Sequence, residues 1–372
     1  MTGDTRPPFR AHHVGSLLRP PVVLEARARH EAGEISLEAL RAVEDEHIRQ
    51  AVRMQEELGF RGVTDGEYRR MMFHTDFLKG FEGVAVRGGL PLKFHSKTKT
   101  VEFSPPRLEV RGKLKRTAGI VTKDFQFLRS VTTRTPKICI PSPTMLHFRG
   151  GRQAVDKEAY PDMEAFFADL GRVYREELSE LAALGCTYLQ LDDTNLAYLC
   201  DPKIRENARE RGEDPVALPR RYVRLINDAI SARPEGMAVC VHLCRGNFQS
   251  AWVAEGGYEP VAEALFTELD VDGFLLEYDD ERSGDFAPLR FVPKGKRVVL
   301  GLVSSKWSDL EDKDELKKRI DEAARYVPQE QLALSPQCGF SSTLEGNEIT
   351  VEDQIAKLRL VQETAAEMWG GS

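Results

Sequence analysis

The strongest constraint on this chain is a recurring unit: a short apolar run ending in polar residues, followed by a stretch with helical spacing. Eight such runs read as strands, at residues 12–16, 62–66, 137–141, 188–192, 238–244, 273–277, 297–303 and 331–335. Helical spacing occupies residues 36–58, 162–184, 222–232, 312–326 and 351–369. In the first of these, Leu37, Leu40 and Val43 share a face and Ser36 can cap the start. Strands alternating with helices specify parallel βα units. Eight units close a ring, so the expected fold is α/β: a single (β/α)8 TIM-like barrel spanning residues 1–372. An open doubly wound sheet is the alternative, but no Gly-x-Gly-x-x-Gly follows the first strand to support a dinucleotide site.

One region breaks the alternation. Residues 81–115 hold short β-prone pieces (90–94, 100–103 and 107–110) interrupted by Gly89, Pro91 and Pro105-Pro106. A β-hairpin insertion after the second strand is expected there, over one mouth of the barrel, as a lid or an oligomer contact. Net charge is −7 and no long basic run occurs, which argues against a nucleic-acid partner. No run approaches the roughly 18 apolar residues of a membrane span, and residues 1–8 lack the apolar core of a signal peptide. The six cysteines are scattered rather than arranged as a secreted disulfide framework, so a reducing cytoplasm is the expected location.

Polar clusters fall at the predicted strand ends, where the loops of a barrel enzyme converge on its active site. They are Val14-Gly15-Ser16, Asp65-Gly66-Glu67, Asp192-Asp193, His242-x-Cys244, the run from Glu277 to Asp280, Ser304-Ser305-Lys306, and Cys338. His242 and Cys244 stand two apart, so on a strand both side chains face one side. A histidine, two cysteines and a carboxylate at strand ends suggest Zn²⁺ held by His242, Cys244, Glu277 and Cys338. Asp279 and Asp280 are rival carboxylates. Of Asp192 and Asp193 only one can face the axis, and Asp192 is expected inward. One of His12 and His13 should face the pocket. His74, His95 and His147 read as surface or loop residues. Arg69-Arg70 could neutralise an anionic substrate or pair with local carboxylates. Cys139, Cys186, Cys200 and Cys240 read as core filling.

With these motifs the chain resembles the cobalamin-independent methionine synthase family, specifically its zinc-bearing C-terminal barrel and the short stand-alone homocysteine methyltransferase-like subgroup. The matching stretches run almost end to end: residues 9–20, 63–70, 189–194, the His242 segment, residues 276–280 and the Cys338 segment. The resemblance implies one Zn²⁺ on His242, Cys244, Glu277 and Cys338. It also implies contact of Val14-Gly15-Ser16 with the amino-acid part of homocysteine, a substrate-holding Glu67, and Asp192 on the amino group. The expected reaction is methyl transfer to homocysteine, a small thiol, giving methionine.

Two departures matter. The family's methionine synthases carry a second, N-terminal barrel that helps hold a polyglutamyl folate, and this chain has no room for it. Where the family places a catalytic histidine near the end of the seventh strand, this chain reads Val303-Ser304-Ser305-Lys306. Lys306 is the expected replacement, and the methyl donor is left open, methyl-folate being one candidate. Relatives with this barrel also alkylate other thiols, including epoxide opening by coenzyme M. A zinc hydrolase using Glu67 or Asp192 as base, and a non-enzymatic zinc barrel, complete the alternatives.

Overall fold

The computed structural model describes residues 6–89, 91–96 and 99–370. Twelve strands occur among them: β1 (Gly62–Val63), β2 (Glu82–Arg87), β3 (Leu92–His95), β4 (Thr100–Phe103), β5 (Arg107–Lys115), β6 (Thr135–Pro136), β7 (Ile138–Pro141), β8 (Tyr188–Asp193), β9 (Ala238–Leu243), β10 (Gly273–Glu277), β11 (Arg297–Val303) and β12 (Leu332–Pro336). The centre is a six-stranded parallel sheet in the order β12-β11-β10-β9-β8-β7, and β1 and β6 form a separate parallel pair. Its strands are buried nearly throughout, as parallel strands covered by helices must be.

Six of the eight predicted strands are therefore neighbours in one sheet. The other two are cut short. Residues 62–66 keep only the two-residue β1, and residues 12–16 form no strand: just before them, Ala11 makes a single parallel bridge to Leu334. Glycine geometry explains both. Gly15 (φ +150°), Gly66 (φ +65°) and Glu67 (φ +61°) turn the backbone out of extended conformation. Hydrogen bonds still span the gaps: His12 N–H to the Leu334 carbonyl (2.9 Å), Leu17 N–H to Gly66 (3.0 Å), and Lys137 N–H, between β6 and β7, to Val63 (2.7 Å).

The helices lie close to their predicted limits. Leu37–Glu57 is capped by the Ser36 side chain, which accepts from the Ala39 N–H, and buries Leu40, Ile48 and Val52. Such a cap stabilises by about 1 kcal/mol. Val351–Trp369 starts with a reciprocal Thr350/Asp353 capping box. The helix expected over 222–232 starts earlier, at Leu218, with Pro219 in its first turn where no N–H is needed. No helix among the described residues is long and apolar enough to cross a membrane.

Residues 82–115 form two antiparallel pairs, β2 with β5 and β3 with β4. Leu90, which opens one predicted piece, lies outside the described residues. The β3–β4 hairpin is zipped to the loop after β9: His95 and Trp252 exchange backbone hydrogen bonds of 2.7 and 2.8 Å. Phe103 stacks on Phe248 with ring centroids 4.1 Å apart, and Phe94 packs on the same ring at 5.4 Å. The insertion thus touches the segment that follows the His-x-Cys pair.

Candidate metal centre and substrate pocket

β9 carries His242 and ends one residue before Cys244; β10 ends on Glu277; Cys338 lies two residues beyond β12. One ligand atom from each of these four residues lies within 4.8 Å of the others, and all four are buried. The two sulfurs are 3.4 Å apart, far longer than a disulfide bond. Neither ring nitrogen of His242 has a hydrogen-bond partner among the described residues. Buried donors left unmet are costly. Two sulfurs, an imidazole and a carboxylate converging this way suit Zn²⁺.

Electrostatics support the same point. The hydrogen bond between the thiols pulls Cys338 well below the ordinary thiol range and pushes Cys244 well above it, so the pair shares a proton. Burial, the largest single influence, would lower His242, but Cys338, Asp192 and Glu277 together outweigh it and raise it. Burial would likewise raise Glu277; Lys306 and Arg282 more than offset this and hold it below the usual carboxylate range. Glu277 also accepts from the Arg245 N–H at 3.0 Å. Its rivals are engaged elsewhere: Asp279 accepts from Arg282 at 2.7 Å, and Asp280 pairs with the same guanidinium and caps the short helix Glu281–Ser283.

His242, Cys244 and Cys338 border a cavity whose wall includes Val14, Ser16, Glu67 and Asp192. Glu67 is held at positive φ by the tight Asp65-Gly66 turn, its N–H donating to the Asp65 carboxylate at 2.9 Å, and it pairs with Arg70 at 2.5 Å. Asp192 accepts from Gln190 at 2.6 Å. Burial, then the Glu67 charge, pushes Asp192 up to about 6. Asp193 faces the other way, accepting from Thr144 (2.6 Å) and the Leu196 N–H (2.8 Å). Gly15 has no substitute: a Cβ there would meet the Cys139 sulfur and a Glu67 oxygen at 2.8 Å. Ser16 accepts from the Ser341 N–H at 3.3 Å, leaving its own proton free.

Other sequence expectations resolve differently. Lys306 is buried close enough to act on Glu277 and Cys244 through its charge, its Nζ has no hydrogen-bond partner among the described residues, and it is not among the residues bordering the cavity. Its chain geometry explains this: it lies three residues past β11, in a bend, and which way such a residue turns is not fixed by strand alternation. Neither His12 nor His13 borders the cavity. His12 bonds Tyr188 inside the sheet, and His13 packs on Phe60 at 5.0 Å. Arg69 pairs with Asp45 and Asp124, so both members of Arg69-Arg70 answer local carboxylates. His74 and His147 lie in turns, as the loop reading has it, but are buried rather than on the surface. His74 borders the cavity, and its Nδ1 has no partner among the described residues. Arg149, Phe73, Phe94, Phe103 and Phe248 also border the cavity and were not foreseen. Phe94 and Phe103 lie on the insertion, whose predicted position over the mouth was the available signal.

The family model for the cobalamin-independent synthase catalytic domain matches residues 9–367, and the chain belongs to that family. It is 47% identical to the uncharacterized protein YxjH of Bacillus subtilis (strain 168), over 97% of this chain and 95% of that one. A solved structure of a proposed vitamin-B12 independent methionine synthase from Listeria monocytogenes is 37% identical. It superposes with a TM-score of 0.79, covering 99% of this chain and all of that one. A methionine synthase of Pyrococcus abyssi is 26% identical, over 88% of this chain and 85% of that protein.

Proposed function

We propose that this protein is a zinc-dependent thiol methyltransferase acting on homocysteine to give methionine. The observation that carries the reading is the convergence of His242, Cys244, Glu277 and Cys338 within 4.8 Å, at a cavity that also holds Glu67 and Asp192. We read the six-stranded sheet, the β1–β6 pair and the Ala11–Leu334 bridge as one eight-stranded (β/α)8 barrel. Residues 1–372 then form a single domain with a hairpin insertion at 81–115, working in the cytoplasm.

A substrate thiol with an ordinary pKa near 8.5 is only about 3% thiolate at pH 7. Zn²⁺ held by the four ligands supplies the missing acidity when bound, presenting the substrate sulfur as a nucleophile. That gain is at most about 2 kcal/mol, whereas aligning sulfur and electrophile can contribute about 7–11 kcal/mol. Alignment is the work of this chain's own residues. Burial and the neighbouring Glu67 charge raise Asp192, and the substrate ammonium gives it a counter-charge. Ser16, with its backbone N–H and free hydroxyl proton, takes the carboxylate. Lys306 and Arg282 keep Glu277 ionised and in place. The methyl donor is a second small molecule, for which the family resemblance suggests methyl-folate.

Calorimetry on zinc-loaded protein tests the reading. Homocysteine should bind, and 4-mercaptobutyrate, which differs only in lacking the amino group, should bind at least about tenfold more weakly. Equal binding points to an alkyltransferase for another thiol, such as coenzyme M. Absence of any zinc-dependent thiol binding removes the whole class.

A further inference from the structure

Arg149 is the arginine that borders the cavity at the proposed metal centre; Arg245, also without hydrogen-bond partners for its guanidinium among the described residues, is buried against the Tyr258 ring at 4.5 Å and borders neither this cavity nor the outer one described below. Arg70 and Arg282 are tied to carboxylates, and Arg19 to four carbonyls and a hydroxyl. Among the described residues nothing makes a hydrogen bond or ion pair with Arg149. Burial lowers its pKa, and the neighbour that offsets this is the Tyr198 phenol rather than a carboxylate. A guanidinium that lines a cavity with no carboxylate beside it is suited to an anion that arrives with a ligand.

Its position suggests which ligand. Arg149 borders both the cavity at the proposed metal centre and an outer cavity of ≈ 360 Å³. The outer walls are apolar, with Leu92, Pro105, Phe148 and Val253 prominent, while Arg107 and Arg211 supply further positive charge. Arg211 donates to the Phe148 carbonyl at 3.3 Å and leaves its buried Nε without a partner. No Asp or Glu is among the residues lining this cavity. Arg107 is paired with Glu109, but Arg149 and Arg211 have no carboxylate partner among the described residues; two such guanidinium groups on an apolar chamber match a flat apolar molecule carrying a carboxylate or phosphate.

We propose that Arg149 and the outer cavity form an anion subsite that seats the charged end of the alkyl donor, holding its reactive end toward the inner cavity. That the occupant is the electrophile rests on the function proposed above; the anion subsite itself does not. Pro91, Leu92 on β3, Pro105 after β4 and Arg107 at the start of β5 contribute walls, so the insertion becomes part of donor recognition rather than only a cover.

The test uses two inert probes of one shape, naphthalene-2-carboxylate and naphthalene-2-carboxamide, titrated into zinc-loaded protein. The carboxylate should bind at least about tenfold more tightly than the amide. Arg149→Gln should abolish that preference and Arg149→Lys should restore part of it, while zinc content and homocysteine binding stay unchanged in both. Equal binding of the probes by the unsubstituted protein, binding of neither, or an undiminished preference in Arg149→Gln each overturns the subsite. Loss of homocysteine binding by the unsubstituted protein, with the probe preference intact, overturns the thiol reading and leaves the subsite standing.

Discussion

Two clusters of metal-type side chains each contribute members to the wall of one cavity, and they differ in what their donor atoms already do. In both, ligand atoms lie within 4.8 Å of one another: His242, Cys244, Glu277 and Cys338 in one, Glu67, Cys139 and Asp192 in the other. In the second, each member has a partner: Glu67 has Arg70, Asp192 has Gln190, and Cys139 donates to the Val14 carbonyl at 3.5 Å. In the first, Glu277 has the Arg245 N–H and Arg282, but among the described residues neither ring nitrogen of His242 has a hydrogen-bond partner and the two sulfurs have chiefly each other. Proximity of ligand types therefore does not make a metal centre. Saturated groups are set to read a substrate's charge, and unsaturated ones wait for an ion.

The largest expected effect separates the clusters by metal content. Purified protein should hold about one zinc per chain, and Cys244→Ser or Cys338→Ser should lose most of it, exceeding the about 10–100-fold cost of outer-shell changes. Cys139→Ser should keep it. Full zinc in both ligand variants, or loss in Cys139→Ser, would erase the distinction.

Next comes recognition. Asp192→Asn should weaken homocysteine binding by about 10–100-fold, the scale of a lost charge-assisted hydrogen bond. It should leave zinc stoichiometry and binding of an amine-free thiol unchanged in calorimetry.

A smaller effect follows from pH. Because burial and Glu67 raise Asp192 to about 6, its charge appears only above that value. Methionine, which has no thiol proton to confuse the reading, should bind about tenfold better at pH 7 than at pH 5, and Asp192→Asn should flatten the profile. Stability runs the opposite way. A carboxyl raised in the folded state contributes most below its unfolded value of 3.8, and that contribution is lost as pH rises through about 6. Asp192→Asn should accordingly stabilise the substrate-free protein above pH 6, by on the order of 1–3 kcal/mol, and not at pH 4. Denaturant titrations at the two pH values check it. The smallest change belongs to Lys306→Met: as a neighbour of Glu277 rather than a ligand, it should weaken zinc retention by about tenfold, the lower end of the cost of an outer-shell change. A Lys306→Met variant with normal zinc and no turnover would instead put Lys306 in contact with the electrophile.

Much of the first cluster is legible in the chain before folding. His242-x-Cys244 needs only strand alternation to share a face, and Glu277 and Cys338 announce themselves at the ends of apolar runs. What could not be read depends on contacts across the chain. That Asp279 and Asp280 turn away is decided by Arg282, whose loop has no periodicity. Arg149 and the phenylalanines come from loops and hairpins that meet only in three dimensions. The first two predicted strands failed locally, at Gly15, Gly66 and Glu67, where the backbone gives up extended geometry to shape the pocket.

The contacts that join the two ends of the chain carry a consequence for how the protein folds. Arg19 binds Ser341 and Thr343 across 322 and 324 residues of sequence, and the Ser341 N–H reaches Ser16 across 325. Contacts this distant form slowly, because the entropy of closing so long a loop precedes any reward. The segment that carries Cys338 is thus expected to dock late, after β8 to β10 have paired. Pulse-labelled hydrogen exchange should find amides of β8 and β9 protected before those of residues 339–341, and the metal site should be the last part of the molecule to become whole.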